Sequence, residues 1–585
     1  MLASACALAL GVPTAASAQI APPTRDELAP PQIRDDTRRA ATLTIDGGLE
    51  RAPCALDDPR YADIRLTLNS VTFAGAERAP ELSLRDTYED YLGRDLPLSV
   101  LCDIRARARA ALSQAGYLAT VEIPEQRLAD GNAELRIVFG RLTAIRVRGD
   151  AGPSERLIES YLSKLTGQEV FNTRDAERYL LLADDIPGVD VRLSLRPAAG
   201  GQPGDLIGEI AVVRRRGALD LNIQNYGSRA LGRFGGLLNG QLYDLTGLGD
   251  RTSLAVFTTA DFDEQQTVQI GHEFRVGSEG LILGGQFTYS HTDPSLGLAG
   301  FDVQSDTYFA SAFARYPLVR RRTESVFVTG GFDYVDQDVE LNDFPLTRDR
   351  VRMAYLRTDF SAADAASVSR AGGYSPAEPK TLLTGAIELR QGLDVFGTSP
   401  DCRANLLACA VGGQATPSRI EADPTPLLLR TELSGEYRPI PDITFALRLD
   451  GQVSGDPLPA FEEFSAGTYS IGRGYDPGAV LGDSGFGVGA ELRYGSAVPE
   501  GIDKFAVQPF LFTDAAWAWN EDPSRRPLNP DRLWSAGGGV RFAYGGGMQG
   551  NLTVAVPLER PDLAPDRGDV RVLFSLTARL LPWSF

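Results

Sequence analysis

From residue 215 onward, apolar and polar residues alternate in segments of about ten, separated by turn residues. The segments fall near 217–226, 234–245, 251–261, 267–275, 281–291, 306–316, 325–335 and 351–360, and then near 382–391, 428–437, 443–452, 485–494, 507–517, 533–543, 549–557 and 570–581. Segments of that length cross a bilayer at a tilt, alternation turns one face to lipid and the other to a lumen, and an even count suits a closed antiparallel barrel. A transmembrane β-barrel of about 16 strands is therefore expected over 215–585. Tyr289, Tyr308, Tyr316, Tyr334, Tyr437, Tyr494, Trp517, Trp519 and Trp583 lie near segment ends, where interface girdles belong. A soluble sandwich or propeller accounts for the strands but not for the terminal Phe585.

Before residue 215 the period changes. Residues 64–73 alternate as a strand, and 82–92 and 99–115 read as helices. In the second of these, Leu101, Ile104, Ala108 and Leu112 share a face, and Gly116 stands at the C-terminal cap. Strands follow at 117–123 and 134–139. The order then repeats: a strand at 143–148, a helix capped by Ser154 with Leu157, Ile158, Tyr161, Leu162 and Leu165 on one face, a helix capped by Asn172, and strands at 189–195 and 207–213. Two consecutive β-α-α-β-β units are expected.

Composition narrows the partners. A net charge of −19 argues against nucleic acid. Residues 2–18 read as the apolar core and small-residue end of a secretory signal, with cleavage before Gln19. No Lys or Arg precedes that core, so the natural start is expected upstream. Beyond it, no apolar run is long enough for a membrane helix. Cys54, Cys102, Cys402 and Cys409 form two pairs far apart in sequence, Cys54 with Cys102 and Cys402 with Cys409. This suits an oxidising compartment, and the four are too dispersed for a zinc site. The two histidines, His272 and His291, lie in separate strands without a nucleophile elbow. There is no P-loop or metal-spaced cluster, so no catalytic site, metal or cofactor is expected.

A Gly-rich stretch at 451–484 interrupts the strand series and carries Ser470-Ile471-Gly472-Arg473-Gly474-Tyr475-Asp476-Pro477-Gly478. The glycines permit tight turns and close approach, and the Arg473 fork wants a carboxylate.

Several motifs together resemble the TpsB family of two-partner secretion transporters (haemolysin secretion/activation, ShlB/FhaC/HecB type) of the BamA-type superfamily. Gly116-Tyr117, Pro124-Glu125-Gln126, Leu135–Val138 and Gly140-Arg141-Leu142 resemble its first POTRA domain and the junction with the second. Asn225-Tyr226-Gly227-Ser228-Arg229 and Gly247-Leu248-Gly249-Asp250 resemble the opening hairpin of its barrel, and Tyr316-Pro317-Leu318-Val319-Arg320 with Gly331-Phe332-Asp333 its middle. Ile471–Tyr475, with Pro477-Gly478 and Gly482-Asp483, resembles the tip of the inward-folded sixth outer loop. Phe512-Thr513-Asp514 resembles the strand motif whose aspartate faces the lumen and pairs with the loop arginine. Gly472, where a valine is frequent, and Ala516, near where a glycine is common, depart from the pattern.

The resemblance implies two α+β POTRA domains and a barrel in the outer membrane. The expected division is a signal peptide at 1–18, a linker able to supply a plug helix at 19–58, POTRA domains at 59–140 and 141–214, and a barrel at 215–585 with an inward-folded loop at about 453–484. The site residues it implies are Arg473, Gly474, Tyr475 and Asp514, with Phe585 as a barrel-assembly signal. The implied activity is export of an unfolded exoprotein without ATP. The implied partners are a TpsA-like, β-helical client, the barrel-assembly machinery, periplasmic chaperones and outer-membrane lipid. A BamA-type insertase, a passive porin and an outer-membrane enzyme are the alternatives.

Overall fold

The computed structural model describes residues 25–28, 42–45, 53–295, 302–368, 371–403, 409, 415–562 and 564–584. Residues 1–18 and Phe585 lie outside this set, so the signal-peptide and terminal-signal expectations do too.

The first unit pairs Ser70–Ala74 with Asn132–Phe139 in parallel and Ala119–Glu122 with Asn132–Phe139 antiparallel. Its helix α1 (Val100–Gln114) buries Leu101, Ile104, Ala108 and Leu112 in one cluster with Leu135 and Ile137. Gly116, at φ +91°, ends it, with the Tyr117 amide donating back to the Leu112 carbonyl (2.9 Å). Two local expectations fail. Residues 82–92 form single 3₁₀ turns at Arg85–Thr87 and Glu89–Tyr91 rather than a helix. Asp86, Thr87, Tyr88 and Asp90 are weak helix formers, and the apolar Leu84, Tyr88 and Tyr91 are held by the core instead. The strand expected at 64–73 breaks at Asn69, whose amide donates to the Gly131 carbonyl (2.7 Å) and whose side chain donates to the Asp130 carbonyl (3.0 Å).

The second unit holds α2 (Glu155–Leu162) and α3 (Thr173–Asp184) against strands Arg141–Arg148, Val189–Pro197 and the start of β1 (Asp205–Gln224). Asn172 caps α3 by accepting the Arg174 amide (2.9 Å). Ser154 precedes α2 but makes no side-chain cap. Its hydroxyl bonds Asp244 in the barrel's first periplasmic turn and accepts the Gly249 amide (3.0 Å). Arg320 forks Asp185 at 2.7 Å through both nitrogens, and Arg275 donates to the Asp185 carbonyl (2.6 Å). The second unit is thereby bolted to the barrel rim.

The barrel comprises β1, β2 (Gly235–Tyr243), β3 (Arg251–Thr259), β4 (Gln265–Val276), β5 (Leu281–Thr292), β6 (Val303–Arg320), β7 (Glu324–Leu341) and β8 (Phe344–Ala363). It continues through β9 (Thr381–Gly392), β10 (Leu427–Ile440), β11 (Ile443–Ser454), β12 (Ser484–Tyr494), β13 (Phe505–Trp519), β14 (Asp531–Tyr544), β15 (Met548–Pro557) and β16 (Arg571–Ser584). All neighbours are antiparallel, and β16 closes on β1 with Ser575 opposite Gln224. The strands expected at 207–213 and 217–226 are one unbroken strand: the Arg214-Arg215-Arg216-Gly217 link carries no turn, so β1 belongs to both the second unit and the barrel. Asp220, Asn222 and Gln224 point inward and are buried, while Ile223 between them faces out. Strands β6–β8 run to 18, 18 and 20 residues, against 9 to 12 in β2–β5. The two-residue turn Asn342-Asp343, with both φ values positive, is the hairpin type that matches strand twist. The excess length therefore stands above the membrane as a ribbon.

Two pieces of the leading segment are described. The helical turn Arg25–Leu28 lies inside the barrel, where the Glu27 carbonyl accepts from the buried Gln265 side chain (3.4 Å). Thr42–Ile45 adds to the second unit's sheet as a strand parallel to Val189–Pro197. Cys54 is bonded to Cys102, and Cys402 to Cys409 in the outer loop between β9 and β10.

Candidate functional site: the inward-folded loop

Between β11 and β12, the chain of residues 455–483 turns back into the barrel. A small hairpin, Phe464–Ala466 with Val480–Gly482, forms its stem. Gly467 (φ +154°) accommodates the turn that brings its amide to the Ile471 carbonyl (3.0 Å). At the tip, Arg473 reaches the inner wall. Its Nε and Nη2 donate to the two oxygens of Asp514 at 2.8 and 2.7 Å, its own amide donates to the same carboxylate (3.1 Å), and Nη1 donates to Glu491 (2.6 Å). The guanidinium lies 3.7 Å from the Phe512 ring centre. Asp514 is on β13 and Glu491 on the adjacent β12, where Gly489 stands directly opposite Asp514, so the carboxylate has room. Glu491 also binds Arg541 (2.8 Å) and Arg493 (2.7 Å).

The neighbours of Arg473 complete the seat. The Gly474 amide donates to the Ser535 hydroxyl (3.2 Å), and a Cβ at Gly474 would come within 2.7 Å of the Ser535 Cβ, so the approach requires glycine. The Tyr475 hydroxyl donates to the Trp534 carbonyl (2.6 Å), and its ring packs in a buried cluster with Ala516, Ala518 and Leu533. Ala516, where the family pattern favours glycine, is thus part of the floor under the tyrosine.

Sequence reasoning missed two further anchors at the loop's base. Glu462 is fully buried and bonded by Arg390 (Nε 3.0, Nη2 2.8 Å) and Arg430 (2.8 Å), and Arg390 also holds Glu388 and Asp333. Asp483 and Glu463 share Arg419, which reaches in from the outer loop between β9 and β10 at 2.6 and 2.7 Å. Both anchors lie on the lumenal parity of their strands or at the loop's ends. Charged residues at inward positions of a barrel were the available signal, but which ones meet depends on strand register.

Outside the barrel the periplasmic units offer sheet edges. In the first unit Ser70–Ala74 ends its sheet, paired on one side by Asn132–Phe139. Nearby, Tyr117 bonds Glu81, and this contact with the carboxylate, together with burial, pushes the phenol up to about 12. The group Cys54, Asp57 and Cys102 comes together at metal-ligand distance, but both thiols are spent in the disulfide.

A family model described as haemolysin secretion/activation protein ShlB/FhaC/HecB matches residues 211–542, more than half of the chain, and one described as POTRA domain, ShlB-type, matches residues 66–140. Comparison with curated protein sequences returns no match. Among solved structures the chain is similar to CdiB from Escherichia coli (18% identity, TM-score 0.69, covering 94% of this chain and 95% of that one). It is also similar to CdiB from Acinetobacter baumannii (16%, 0.61, 91% of each). A third likeness is to BamA from Haemophilus ducreyi lacking POTRA domains 1–3 (15%, 0.50, 88% of this chain and all of that one). At these identities the likeness is one of fold.

Proposed function

The chain belongs to the haemolysin secretion/activation family, ShlB/FhaC/HecB type, an outer-membrane transporter family with periplasmic POTRA domains, and from that premise we propose that it exports one unfolded exoprotein through its barrel without ATP. The client is a TpsA-like secreted protein, captured in the periplasm as an extended segment added to a POTRA sheet edge. Main-chain hydrogen bonds supply the affinity there, which suits handling a chain before it folds. The barrel offers a closed, polar-lined passage in which no backbone group is stranded in lipid. Folding outside then disfavours return.

The observation that carries this reading is Thr42–Ile45 lying in register along Val189–Pro197: an edge of this periplasmic array accepts an added extended strand. The free edge at Ser70–Ala74 offers the same chemistry to a client. The division of the periplasmic part into domains at 59–140 and 141–214 belongs to the same reading.

Deleting residues 59–140 tests it. The barrel should still insert, read as a heat-modifiable band in the outer membrane, while export of its client stops. Normal export by the deletion would overturn strand capture at Ser70–Ala74. General loss of outer-membrane proteins, rather than loss of one secreted protein, would favour the insertase alternative.

A further inference from the structure

We infer, resting on the strand capture proposed above, that Arg192 and Arg196 set a sequence preference at the Val189–Pro197 edge. The edge takes an extended client segment with acidic residues at its first and fifth positions and apolar residues at its second and fourth. Val191, Leu193 and Leu195 are buried in the core of the second unit. Arg192 and Arg196 have the opposite parity and stand on the open face of the sheet, with side chains 62% and 55% exposed. Four residues separate them, about 13 Å along the strand. Pro197 follows with no amide to offer, so the edge closes just past Arg196.

The open face is basic within an acidic chain. Register sets Arg148, Ala211 and Arg192 in one row and Arg146, Glu209 and Ser194 in the next, with Arg196 opposite Ile207 beyond them. Arg146, Arg148, Arg192 and Arg196 thus share this face with the carboxylates of Glu209 and Asp190. Arg148 donates to one Glu209 oxygen at 2.6 Å. Arg196 stands 3.6 Å from the other, and Arg192 stands 3.5 Å from Asp190. Both distances exceed the about 2.7–2.9 Å of a charge-assisted hydrogen bond. Arg192 and Arg196 therefore keep guanidinium donors for a residue that arrives on the edge side of their strand.

The strand already seated there supplies the register. Thr42–Ile45 runs parallel, with Thr42 opposite Arg192, Leu43 opposite Leu193, Thr44 opposite Ser194 and Ile45 opposite Leu195. Its sequence is polar at the first and third positions and apolar at the second and fourth. A client segment in the same register sets its second and fourth residues beside Leu193 and Leu195, and its first and fifth beside Arg192 and Arg196. Opposite charges in such cross-strand pairs add to the main-chain bonds, and like charges oppose them. The positive face also draws an acidic segment in from solution. Thr42 brings no charge to Arg192, so an acidic segment displaces the resident strand more readily than a neutral one does.

The test uses the full-length transporter in detergent, with Leu43→Pro to open the edge and Ser194→Cys to report on it. The probes are synthetic peptides in which Glu-Leu-Thr-Ile-Glu, Thr-Leu-Thr-Ile-Thr or Lys-Leu-Thr-Ile-Lys lies between identical neutral flanks, with a thiol-reactive group on the third residue. Affinity is read from cross-linking yield against peptide concentration. The acidic peptide should bind about five- to tenfold more tightly than the neutral one, and the basic one more weakly still. The difference should shrink in about 1 M salt. Arg192→Glu with Arg196→Glu should reverse the order. If that variant loses its fold by circular dichroism, Arg192→Gln with Arg196→Gln takes its place and should abolish the preference. Equal cross-linking of the three peptides would overturn the charge selection and leave strand capture standing. No cross-link from any peptide would overturn strand capture at this edge and the selection with it.

Discussion

Arg473 and Asp514 meet through two near-parallel N–H···O bonds, 2.8 and 2.7 Å, although 41 residues separate them and one sits on a loop tip and the other on the barrel wall. Fixing a loop of about thirty residues loses considerable entropy, so specific contacts must hold it. The fork geometry is one that arginine makes and lysine does not. Arg473→Ala is expected to reduce export while the barrel still inserts, and Arg473→Lys to recover little of it. Asp514→Ala should be milder, because Glu491 retains the guanidinium at 2.6 Å. The double variant should match Arg473→Ala. In a partly wet lumen the pair is worth about 1–3 kcal/mol, below the ~3–5 kcal/mol lost when a dry buried pair is broken. Equal and additive losses in a secretion assay would show that the pair does not act as one anchor.

Arg390 is the harsher lesion. Removing it leaves Glu462, Glu388 and Asp333, none more than 5% exposed, as neighbouring carboxylates with one cation fewer among them. Arg390→Met should therefore impair folding of the barrel, at a cost of ~3–5 kcal/mol. The check is loss of the heat-modifiable band, which Arg473→Ala should keep.

How much of this was legible is uneven in an instructive way. The sixteen strands were readable because period-two alternation bounded by turns survives without knowledge of neighbours. Arg473 and Asp514 stood out because a glycine-flanked arginine and an aspartate at an inward position are chemically conspicuous. Glu491 and Glu462 were not, because a carboxylate on a strand declares its partner only once register sets Glu491 beside Phe512 and brings Arg541 across. Residues 82–92 misled for the opposite reason: their apolar spacing is helical, but tertiary burial of Leu84 and Tyr88 overrode weak local propensity.

The Cys54–Cys102 bond closes a loop with a separation of 48 residues. On the chain-entropy model that is worth ~4 kcal/mol to the first POTRA domain. Cys102→Ala should speed hydrogen exchange in α1 and Asn132–Phe139 while leaving barrel amides unchanged, and unreduced peptide mapping of wild type should recover both cross-linked pairs.

Asp184, at the end of α3, is pushed up to about 6 by burial, against the opposing hydrogen bond from the Val191 amide (3.1 Å). A carboxyl whose folded value lies above its unfolded value of about 3.9 binds more protons folded than unfolded between those limits. The second POTRA domain should then lose stability as pH rises from about 4 to about 6 and carry the full penalty above that. Asp184→Asn should flatten this slope and raise protection at pH 7, read by hydrogen exchange at Val191. An unchanged pH slope in the variant would mean that another group sets it.

Thr42–Ile45 covers the edge of Val189–Pro197 by main-chain pairing, with Leu43 opposite Leu193 and Ile45 opposite Leu195 in register. An added strand of four residues makes few hydrogen bonds, each worth only ~0.5–1.5 kcal/mol net, so it is exchangeable on the time scale of client arrival. If clients are taken up by strand addition, this segment competes with them for the Val189–Pro197 edge, while Ser70–Ala74, Ala119–Glu122 and Arg141–Arg148 also end their sheets. Leu43→Pro removes an amide and restricts the preceding residue, so it should free the edge without touching the sheet beneath. A fragment of the client's amino-terminal region should then bind the detergent-solubilised transporter several-fold more tightly. Cross-links from Arg192→Cys, now at an open edge, should appear only in the proline variant. Unchanged affinity together with unchanged cross-linking would place client capture away from Val189–Pro197 and leave Thr42–Ile45 as a structural strap.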